Sequence, residues 1–303
     1  MDRFAYACIE DRPRLRWPNG ARVALMVVPN VEHYEYEPPP HPLRDPWPRT
    51  PHPDIVGYAT RDYGNRVGIW RMLDAMDRHG VRGTASISIG VFDHYPEVIA
   101  ALEARKWDYM CHGVYNTRYL WGLPEDEERA IIQDCVQSYK RHTGRDLPGW
   151  CSPALSNTIN TPDLVAEAGV KYYGDAGMMD DQPFPLNVRT GRLLSLPYSV
   201  NLNDAVNQRQ GHESEEFARM CMDAFDTLYA EGGGQARVLA LSVHPYIMGM
   251  PQRVGHFDRL LSYICGHADV WKATGEEIAD WYYANAWNPM VNYLNDRETR
   301  HAR

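Results

Sequence analysis

The chain has 303 residues, enough for one large hydrophobic core or two modest ones. Hydrophobic residues make up 44% and charged residues 23%, which is the composition of an ordinary globular protein. A formal net charge of -9 without a run of Lys or Arg argues against nucleic acid as a partner.

The N-terminus and the cysteines indicate the cellular compartment in which the protein is expected. Residues 1–8 show no positively charged segment followed by an apolar stretch, so no secretory signal is expected. No segment approaches about 18 uninterrupted apolar residues, so neither a membrane span nor a membrane partner is expected. The 6 cysteines are scattered without CxxC pairs, which favours reduced thiols. A cytoplasmic location is predicted.

The first half of the chain alternates predicted strands and helices. Apolar runs and helical periodicity predict strands over residues 22–29, 84–89 and 107–111, and helices over 70–79, 96–105 and 124–141. Residues 34–63 are rich in Pro, His, Tyr and charge, and they are too long for a mere linker within a compact domain. They predict a long functional loop over a site.

The second half continues the alternation. Strands are predicted over 149–153, 171–175, 192–198, 237–244 and 267–273, with helices over 161–168, 214–229 and 254–264. A capping box at residues 274–277 begins the last helix. No internal linker interrupts the pattern. We therefore predict a single domain over residues 1–303, with a barrel over about 16–285 and a peripheral C-terminal tail over 286–303.

The order of the elements indicates an α/β fold with a parallel sheet, because strand and helix alternate six or seven times. Polar residues lie at or just past the strand ends, namely Asn30, Glu32, His112, Asn116, Ser152, Asp175, Asp204 and His244. In a β/α barrel these ends converge on one face. A doubly wound sheet would also place ligands at strand ends, but it normally carries a Gly-rich nucleotide loop, and none is present. A barrel is the preferred prediction.

The stretch from Met110 to Tyr119 is the first candidate for the active site. His112 and Asn116 are four residues apart, a spacing that would put both side chains on one face of a helix. A second histidine at that position would make half of a metal site, but asparagine is a weak, neutral ligand. The alternative is a histidine and an amide held in a loop hydrogen-bond network. No tightly bound cofactor is expected. A weakly bound divalent metal such as zinc would use Glu32, His112 and Asn116.

Two further residues are candidates for proton transfer. The carboxylate of Glu32 at a barrel mouth could bind a metal or take a proton from water, and the alternative is a solvated acidic loop. His244 directly follows an apolar run, where it could protonate a leaving nitrogen or oxygen. The alternative is a core histidine bonded to a carbonyl group. With His112, these residues form the predicted catalytic set.

Several polar residues could contact a substrate. Arg66 and Arg118 could bind a carboxylate or ureido oxygen, although structural ion pairs are common for such arginines. Asp181 could face the substrate, although turn capping would also explain it. The predicted substrate-binding set is Asn30, Arg66, Tyr115, Asn116, Ser152, Asp181 and Asp204. No G-x-S-x-G motif is present, so a Ser-His-Asp hydrolase is not expected.

These motifs together resemble those of the polysaccharide deacetylase superfamily (carbohydrate esterase family 4-like), and they are closest to its cofactor-independent allantoinase branch. The likeness extends over residues 16–283. It is carried by Asn30-Val31-Glu32, residues 63–71, His112-Gly113, Gly149-Trp150, residues 180–184, Leu196-Pro197-Tyr198, Asn203-Asp204, His244, Trp271 and Glu276-Glu277.

The resemblance implies a distorted (β/α)7 barrel, hydrolysis of an amide C–N bond and a homo-oligomer, a dimer or a tetramer. In metal-dependent deacetylases, Asn30 and Glu32 would both be aspartates, His112 would bind the metal, and Asn116 would be a second histidine. Allantoinase-like enzymes share the asparagine and the glutamate, lack the second histidine and are regarded as metal-independent. They carry an aromatic residue at position 116, and the segment 34–63 also departs from their pattern.

Three hypotheses about function follow. The preferred one is an allantoinase-like hydrolase of a small-molecule amide, cyclic amide or ureide, in which Glu32 and His112 activate water and His244 protonates the leaving nitrogen. The first alternative is a metal-dependent deacetylase of N-acetylated sugar or peptidoglycan fragments. The second is a catalytically inactive member of the superfamily that serves as a binding protein.

Overall fold

The computed structural model of the protein describes residues 3–39 and 53–301. Its centre is a nine-stranded sheet in the order β6-β7-β5-β4-β3-β2-β1-β8, and β9 pairs with β1. The strands are β1 (Val23–Val31), β2 (Thr84–Ile87), β3 (Asp108–Cys111), β4 (Gly149–Trp150), β5 (Tyr172–Tyr173), β6 (Phe184–Leu186), β7 (Leu193–Ser195), β8 (Arg237–Val243) and β9 (Val270–Lys272).

The parallel strands form the predicted distorted (β/α)7 barrel, which the structure confirms as an incompletely closed, curled sheet. Seven strands in sequence order, β1 to β5, β7 and β8, pair in parallel. β6 is antiparallel to β7 at one edge. β9 pairs with the first residues of β1, while β2 pairs with its last residues.

Helices cover the outside and one end of the sheet. They are α1 (Ile55–Tyr63), α2 (Ile69–Arg78), α3 (Val91–His94), α4 (Pro96–Ala104), α5 (Glu125–Thr143), α6 (Thr161–Glu167), α7 (Asp204–Arg209), α8 (Ser214–Gly232), α9 (Val254–Cys265), α10 (Gly275–Asn285) and α11 (Trp287–His301). A π-helical turn, Gly64–Gly68, joins α1 to α2. Within the described residues, no helix is long and apolar enough to cross a membrane.

Side-chain alternation along β1 separates two hydrophobic clusters. Successive side chains of a strand point to opposite faces, and every residue of β1 is buried. Val23, Leu25 and Val27 belong to the outer cluster, which includes the core-facing residues of α2 and α9. Ala24 and Met26 belong to the inner cluster, inside the curl of the sheet. The same alternation recurs on β3 and β8, so residue parity decides which side chains face the barrel interior.

Two predicted segments differ from the structure. Residues 34–63 were expected to form one long loop, but residues 55–63 form α1, whose N-cap Asp54 accepts a hydrogen bond from the Gly57 N–H. Residues 40–52 of that expected loop lie outside the described part of the chain. The expected peripheral tail is helical as α11, and its Trp287 and Met290 are buried in the inner cluster. This end of the chain therefore contributes to the core.

Candidate active site

The carboxyl ends of β1, β3 and β8 bring the polar residues of the site together. On β1 the inward-facing positions continue from Ala24 and Met26 to Asn30 and then to Glu32, directly beyond the strand. On β3 the inward Met110 is followed two residues later by His112. The inward-facing side chains are therefore hydrophobic within the strands and polar at the carboxyl ends of the strands.

Glu32 lies at the centre of this group. Its Oε1 is 3.6 Å from His112 Nε2 and 3.5 Å from His244 Nε2. Its Oε2 is buried and has no hydrogen-bond partner among the described residues. Burial alone would raise the pKa of Glu32, but its interactions with the two imidazoles hold that pKa well below its usual range. Glu32 is therefore a buried carboxylate at neutral pH, with one oxygen available to a ligand.

The orientation of His112 follows from a single backbone contact. Its Nδ1 lies 2.8 Å from the carbonyl oxygen of Cys151, and a carbonyl can only accept, so Nδ1 carries the hydrogen. When the ring is neutral, the unprotonated nitrogen is therefore Nε2, the atom that faces Glu32. Ser152 holds this carbonyl in place through hydrogen bonds from its N–H and Oγ to Asp175, at 2.7 Å and 2.6 Å.

His244 is held by the first residue of α7. Asp204 Oδ1 accepts the Nδ1 hydrogen at 2.5 Å, and Asp204 Oδ2 accepts the backbone N–H of His244 at 2.8 Å. Burial acts against protonation of His244, but the charge of Asp204 outweighs it and, with Glu32, raises the pKa of His244 to about 9. Its Nε2 therefore carries a hydrogen at neutral pH and faces Glu32.

A closed hydrogen-bond network fixes the floor of the site. Ser242 Oγ accepts from Asn30 Nδ2 at 2.9 Å and from Asn203 Nδ2 at 3.0 Å, so its own hydrogen points to Tyr198, whose oxygen is 2.7 Å away. Tyr198 in turn donates to Asn30 Oδ1 at 3.2 Å. Both groups of the Asn30 amide are thus occupied, which gives Asn30 a positioning role.

Asn116 and Tyr34 form the opposite wall. Asn116 Nδ2 donates to the Tyr34 hydroxyl at 2.8 Å, and Asn116 Oδ1 is buried without a hydrogen-bond partner among the described residues. The guanidinium of Arg61 lies 4.4 Å from the ring centre of Tyr34 and 5.2 Å from that of Tyr246. Burial, together with the charge of Glu32, raises the pKa of Tyr34, so the phenol keeps its hydrogen.

These side chains enclose a cavity of about 140 Å³. Its lining residues are Asn30, Glu32, Tyr34, His112, Asn116, Ala154, Leu155, Tyr198, Asn203, Ala205, Val206, Arg209, His244 and Tyr246. A cavity of this size, small and rich in polar groups, suits part of a small molecule. Larger hollows elsewhere on the described surface contain no comparable set of buried proton-transfer groups.

The structure brings together the three predicted catalytic residues and part of the predicted substrate-binding set. Glu32, His112 and His244 meet at one carboxylate oxygen, and Asn30 and Asn116 line the same cavity. Asp204 does not line the cavity but holds His244 from behind. Its position is therefore that of a residue that orients another.

Besides Asp204, four more of the predicted substrate-binding residues do not line this cavity, and their role in binding stays a prediction. Arg66 is exposed and pairs with Asp62 one helical turn away. Tyr115 packs with its ring 5.2 Å from that of His33. Ser152 is fully buried and bonded to Asp175, as described above. The carbonyl of Asp181 bonds to Val238 near the start of β8, which is the opposite end of the barrel.

Several lining residues escaped the sequence prediction, including Tyr34, Asn203, Arg209 and Tyr246. Tyr34 lies two residues beyond Glu32, so extending the alternation of β1 by one step would have found it. Asn203 caps α7, its Oδ1 accepting from the backbone N–H groups of Ala205 and Val206, which is a recognisable N-cap pattern. Tyr246 and Arg209 depend on tertiary packing and give no such pattern.

The residues at the site do not fit a tightly bound zinc ion. Glu32, His112 and Asn116 offer one carboxylate, one imidazole and one neutral amide oxygen, and His244 Nε2 carries a hydrogen. No group of three or more His, Cys, Asp or Glu side chains is arranged to hold a metal among the described residues. We therefore derive no step through a metal, and a weakly bound one stays a prediction.

Comparison with known proteins shows which families this chain resembles. A model of the polysaccharide deacetylase family matches residues 49–173. A protein of Schizosaccharomyces pombe, described only provisionally as a polysaccharide deacetylase, is 28% identical over 311 residues, which cover 91% of this chain and 93% of that protein.

Two solved structures extend the comparison. The structure of a probable polysaccharide deacetylase from Pseudomonas aeruginosa PAO1 has a TM-score of 0.79 and 28% identity, covering 90% of this chain and 95% of that one. The structure of PuuE allantoinase has a TM-score of 0.81 and 26% identity, covering 93% and 98%. The fold and the site are thus similar to those of hydrolases of the polysaccharide deacetylase superfamily. The match to the polysaccharide deacetylase family covers residues 49–173, and the structural neighbours include both deacetylases and an allantoinase.

Proposed function

We propose that the protein hydrolyses a non-peptide C–N bond in a small-molecule amide, cyclic amide or ureide. The observation that carries this proposal is the approach of two imidazole Nε2 atoms to one buried carboxylate oxygen, at 3.5 Å and 3.6 Å. The likeness to PuuE allantoinase over 93% of this chain supports a substrate of this class.

The first step is the addition of water to the amide carbonyl. Glu32 Oε2, which has no other partner among the described residues, takes a proton from the water. His112 Nε2 accepts the second hydrogen bond of that water, because its Nδ1 hydrogen is committed to Cys151. The water oxygen bonds to the carbonyl carbon and gives a tetrahedral intermediate with a negatively charged oxygen.

Tyr34 stabilises this oxyanion. Its oxygen already accepts a hydrogen bond from Asn116 Nδ2, and its own hydrogen has no acceptor among the described residues, so it can point into the cavity. A donor fixed in advance in a buried site stabilises developing charge more than a solvent molecule does. The positive charge of Arg61 beside the Tyr34 ring reinforces this effect.

His244 completes the reaction. Its Nε2 hydrogen goes to the leaving nitrogen, the C–N bond breaks, and the products are a carboxylic acid and an amine or amide fragment. Glu32 then holds the proton taken from water, and His244 is neutral. Exchange of protons with solvent then removes the proton from Glu32 and returns one to His244 Nε2, which restores both groups for another cycle.

A panel of substrates tests this proposal. Purified protein is incubated with hydantoin, allantoin, succinimide, dihydrouracil and N-acetylglucosamine, and acid release is followed with Glu32→Gln as the blank. We expect ring opening of at least one cyclic compound. Turnover of the N-acetyl sugar alone would favour deacetylation, which the names of the Schizosaccharomyces pombe and Pseudomonas aeruginosa relatives support. No turnover would favour the inactive alternative.

We also propose that the protein acts only on small molecules and that it is located in the cytoplasm. We propose further that it forms a homo-oligomer, either a dimer or a tetramer. Light scattering of the purified full chain measures the oligomeric state directly. A monomer at micromolar concentration would contradict this part of the proposal.

A further inference from the structure

We infer that the substrate carries an anionic group, such as a carboxylate, that Arg209 binds at the mouth of the cavity. The inference rests on the proposed function and deepens it by assigning a charge to the substrate.

The position of Arg209 is set by α7. Ala205, Val206 and Arg209 all line the cavity, and their spacing of three and four residues puts them on one face of the helix. Asn203 caps this helix and also donates to Ser242 Oγ at 3.0 Å, which ties α7 to β8. The helix that holds His244 through Asp204 thus also presents Arg209 to the cavity.

Arg209 is exposed, and its guanidinium makes no hydrogen bond, ion pair or ring contact with the described residues. Other arginines near the site are committed: Arg66 pairs with Asp62, and Arg118 pairs with Glu35 at 2.7 Å. Arg209 is also the only Arg or Lys among the described residues that line the cavity. A guanidinium with its donors free binds a carboxylate through two parallel hydrogen bonds.

The interior of the cavity favours a different part of the substrate, one that donates hydrogen bonds and carries no negative charge. Asn116 Oδ1 is a buried acceptor without a partner among the described residues, and it is separate from Glu32 Oε2, which binds the water in the proposed reaction. An unsatisfied buried acceptor is costly, so Asn116 Oδ1 favours a ligand that donates a hydrogen bond. The buried carboxylate of Glu32 would also repel an anion placed beside it. A substrate with N–H groups inside and an anionic group outside satisfies both requirements, and it belongs to the class of carboxylated amides, cyclic amides and ureides.

Matched pairs of compounds test the inference. Hydantoin-5-acetate is compared with hydantoin, and dihydroorotate with dihydrouracil, because the members of each pair differ by an acidic substituent. Thermal unfolding measures binding without requiring turnover, and kcat/KM is measured wherever turnover occurs. The variants are Arg209→Gln and Arg209→Lys, and the control is Arg14→Gln, an exposed arginine that does not line this cavity.

We expect the carboxylated member of at least one pair to raise Tm more than its neutral partner. In Arg209→Gln, the kcat/KM ratio of carboxylated to neutral substrate should fall about 10- to 100-fold, mainly through KM, because charge-assisted hydrogen bonds are lost. Arg209→Lys should restore part of the ratio, and Arg14→Gln should leave it as in the wild type.

The outcomes separate the two proposals. Equal stabilisation by both members of each pair, or a preference that persists in Arg209→Gln, would overturn the inference while turnover of neutral amides still supported the proposed function. Stabilisation that depends on Arg209 without hydrolysis of any compound would support the inference as a binding property and refute the proposed function. Absence of both binding and turnover would refute both.

Discussion

Asp204 contacts His244 at two points, the ring Nδ1 at 2.5 Å and the backbone N–H at 2.8 Å. The first contact fixes the tautomer and the second fixes the backbone, so the Nε2 of His244 has one direction available. The charge of Asp204 overcomes the effect of burial and raises the pKa of His244 to about 9. His244 is thus a proton donor over the whole neutral range, as the proposed release of nitrogen requires.

Replacing this carboxylate should change the pH dependence of the reaction. In the wild type, kcat/KM should fall as pH rises through about 9, where His244 loses its acidic proton. In Asp204→Asn the raising charge is gone, so this decline should move to lower pH, and kcat at pH 8 should drop about 10- to 100-fold. The pH profile of kcat/KM between pH 5 and about 10 measures both effects.

Asp258→Asn is the matched control for Asp204→Asn. Asp258 Oδ1 lies 3.0 Å from His79 Nε2 and so forms another Asp–His pair, between α9 and the C-cap of α2. This variant should keep the wild-type profile. An Asp204→Asn profile that coincides with the wild type would exclude His244 as the general acid.

Glu32→Gln should abolish turnover while the fold is retained. The amide is nearly isosteric with the carboxylate but cannot take a proton from water, and such a loss typically lowers kcat 10²- to 10⁴-fold. Circular dichroism and thermal unfolding check the fold, and the substrate panel checks the rate. Glu35→Gln is the control, since Glu35 pairs with Arg118 and Thr117 outside the cavity. Near-wild-type rates in Glu32→Gln would remove Glu32 from the mechanism.

The sequence could predict the barrel and the approach of Glu32 and His112 because both depend on local patterns. Parallel strands were recognisable as apolar runs, and alternation carried Glu32 and His112 to the inward face at the strand ends. Arg66 and Asp181 lie outside the cavity because they contact Asp62 of α1 and Val238 of β8, and no local sequence pattern specifies these contacts. The place of Arg209 at the cavity could not be predicted from the sequence, because it depends on how α7 packs against β8.

Tyr34→Phe should lower kcat about 10²- to 10³-fold with a smaller effect on KM, because it removes one donor to the oxyanion and keeps the ring. The stacking of Arg61 on the ring is retained in this variant, so the loss reports on the hydroxyl alone. Tyr36→Phe is the control: Tyr36 is exposed, and its ring packs against Tyr58 outside the cavity. Equal rates for the two variants would contradict the proposed role of Tyr34.

Metal removal should leave the activity unchanged within about twofold, because the donor set of Glu32, His112 and Asn116 does not match the ligands that zinc prefers. Protein dialysed against a chelator is compared with undialysed protein, both for turnover and for metal content by elemental analysis. Stoichiometric zinc that survives dialysis, together with activity lost on its removal and restored on its addition, would favour the metal-dependent alternative.

Gly68→Ala should disturb both stability and activity, because a Cβ at Gly68 would lie 2.0 Å from the carbonyl oxygen of Pro245. That carbonyl belongs to the residue after His244, so relief of the clash must move either the π-helical turn or the backbone next to His244. We expect a loss of about 1–3 kcal/mol in the free energy of unfolding, as for other overpacked sites, and a reduced kcat.

Gly255→Ala in α9 is the control for Gly68→Ala, since its nearest neighbour would be the flexible end of Arg259 at 3.5 Å. An alanine there should be neutral, or stabilising by up to about 1 kcal/mol, because glycine loses more backbone entropy on folding. Denaturant unfolding of both variants gives the comparison. Equal stabilities for Gly68→Ala and the wild type would show that the turn from Pro245 to Gly249 is not held against the π-helical turn as closely as the structure indicates.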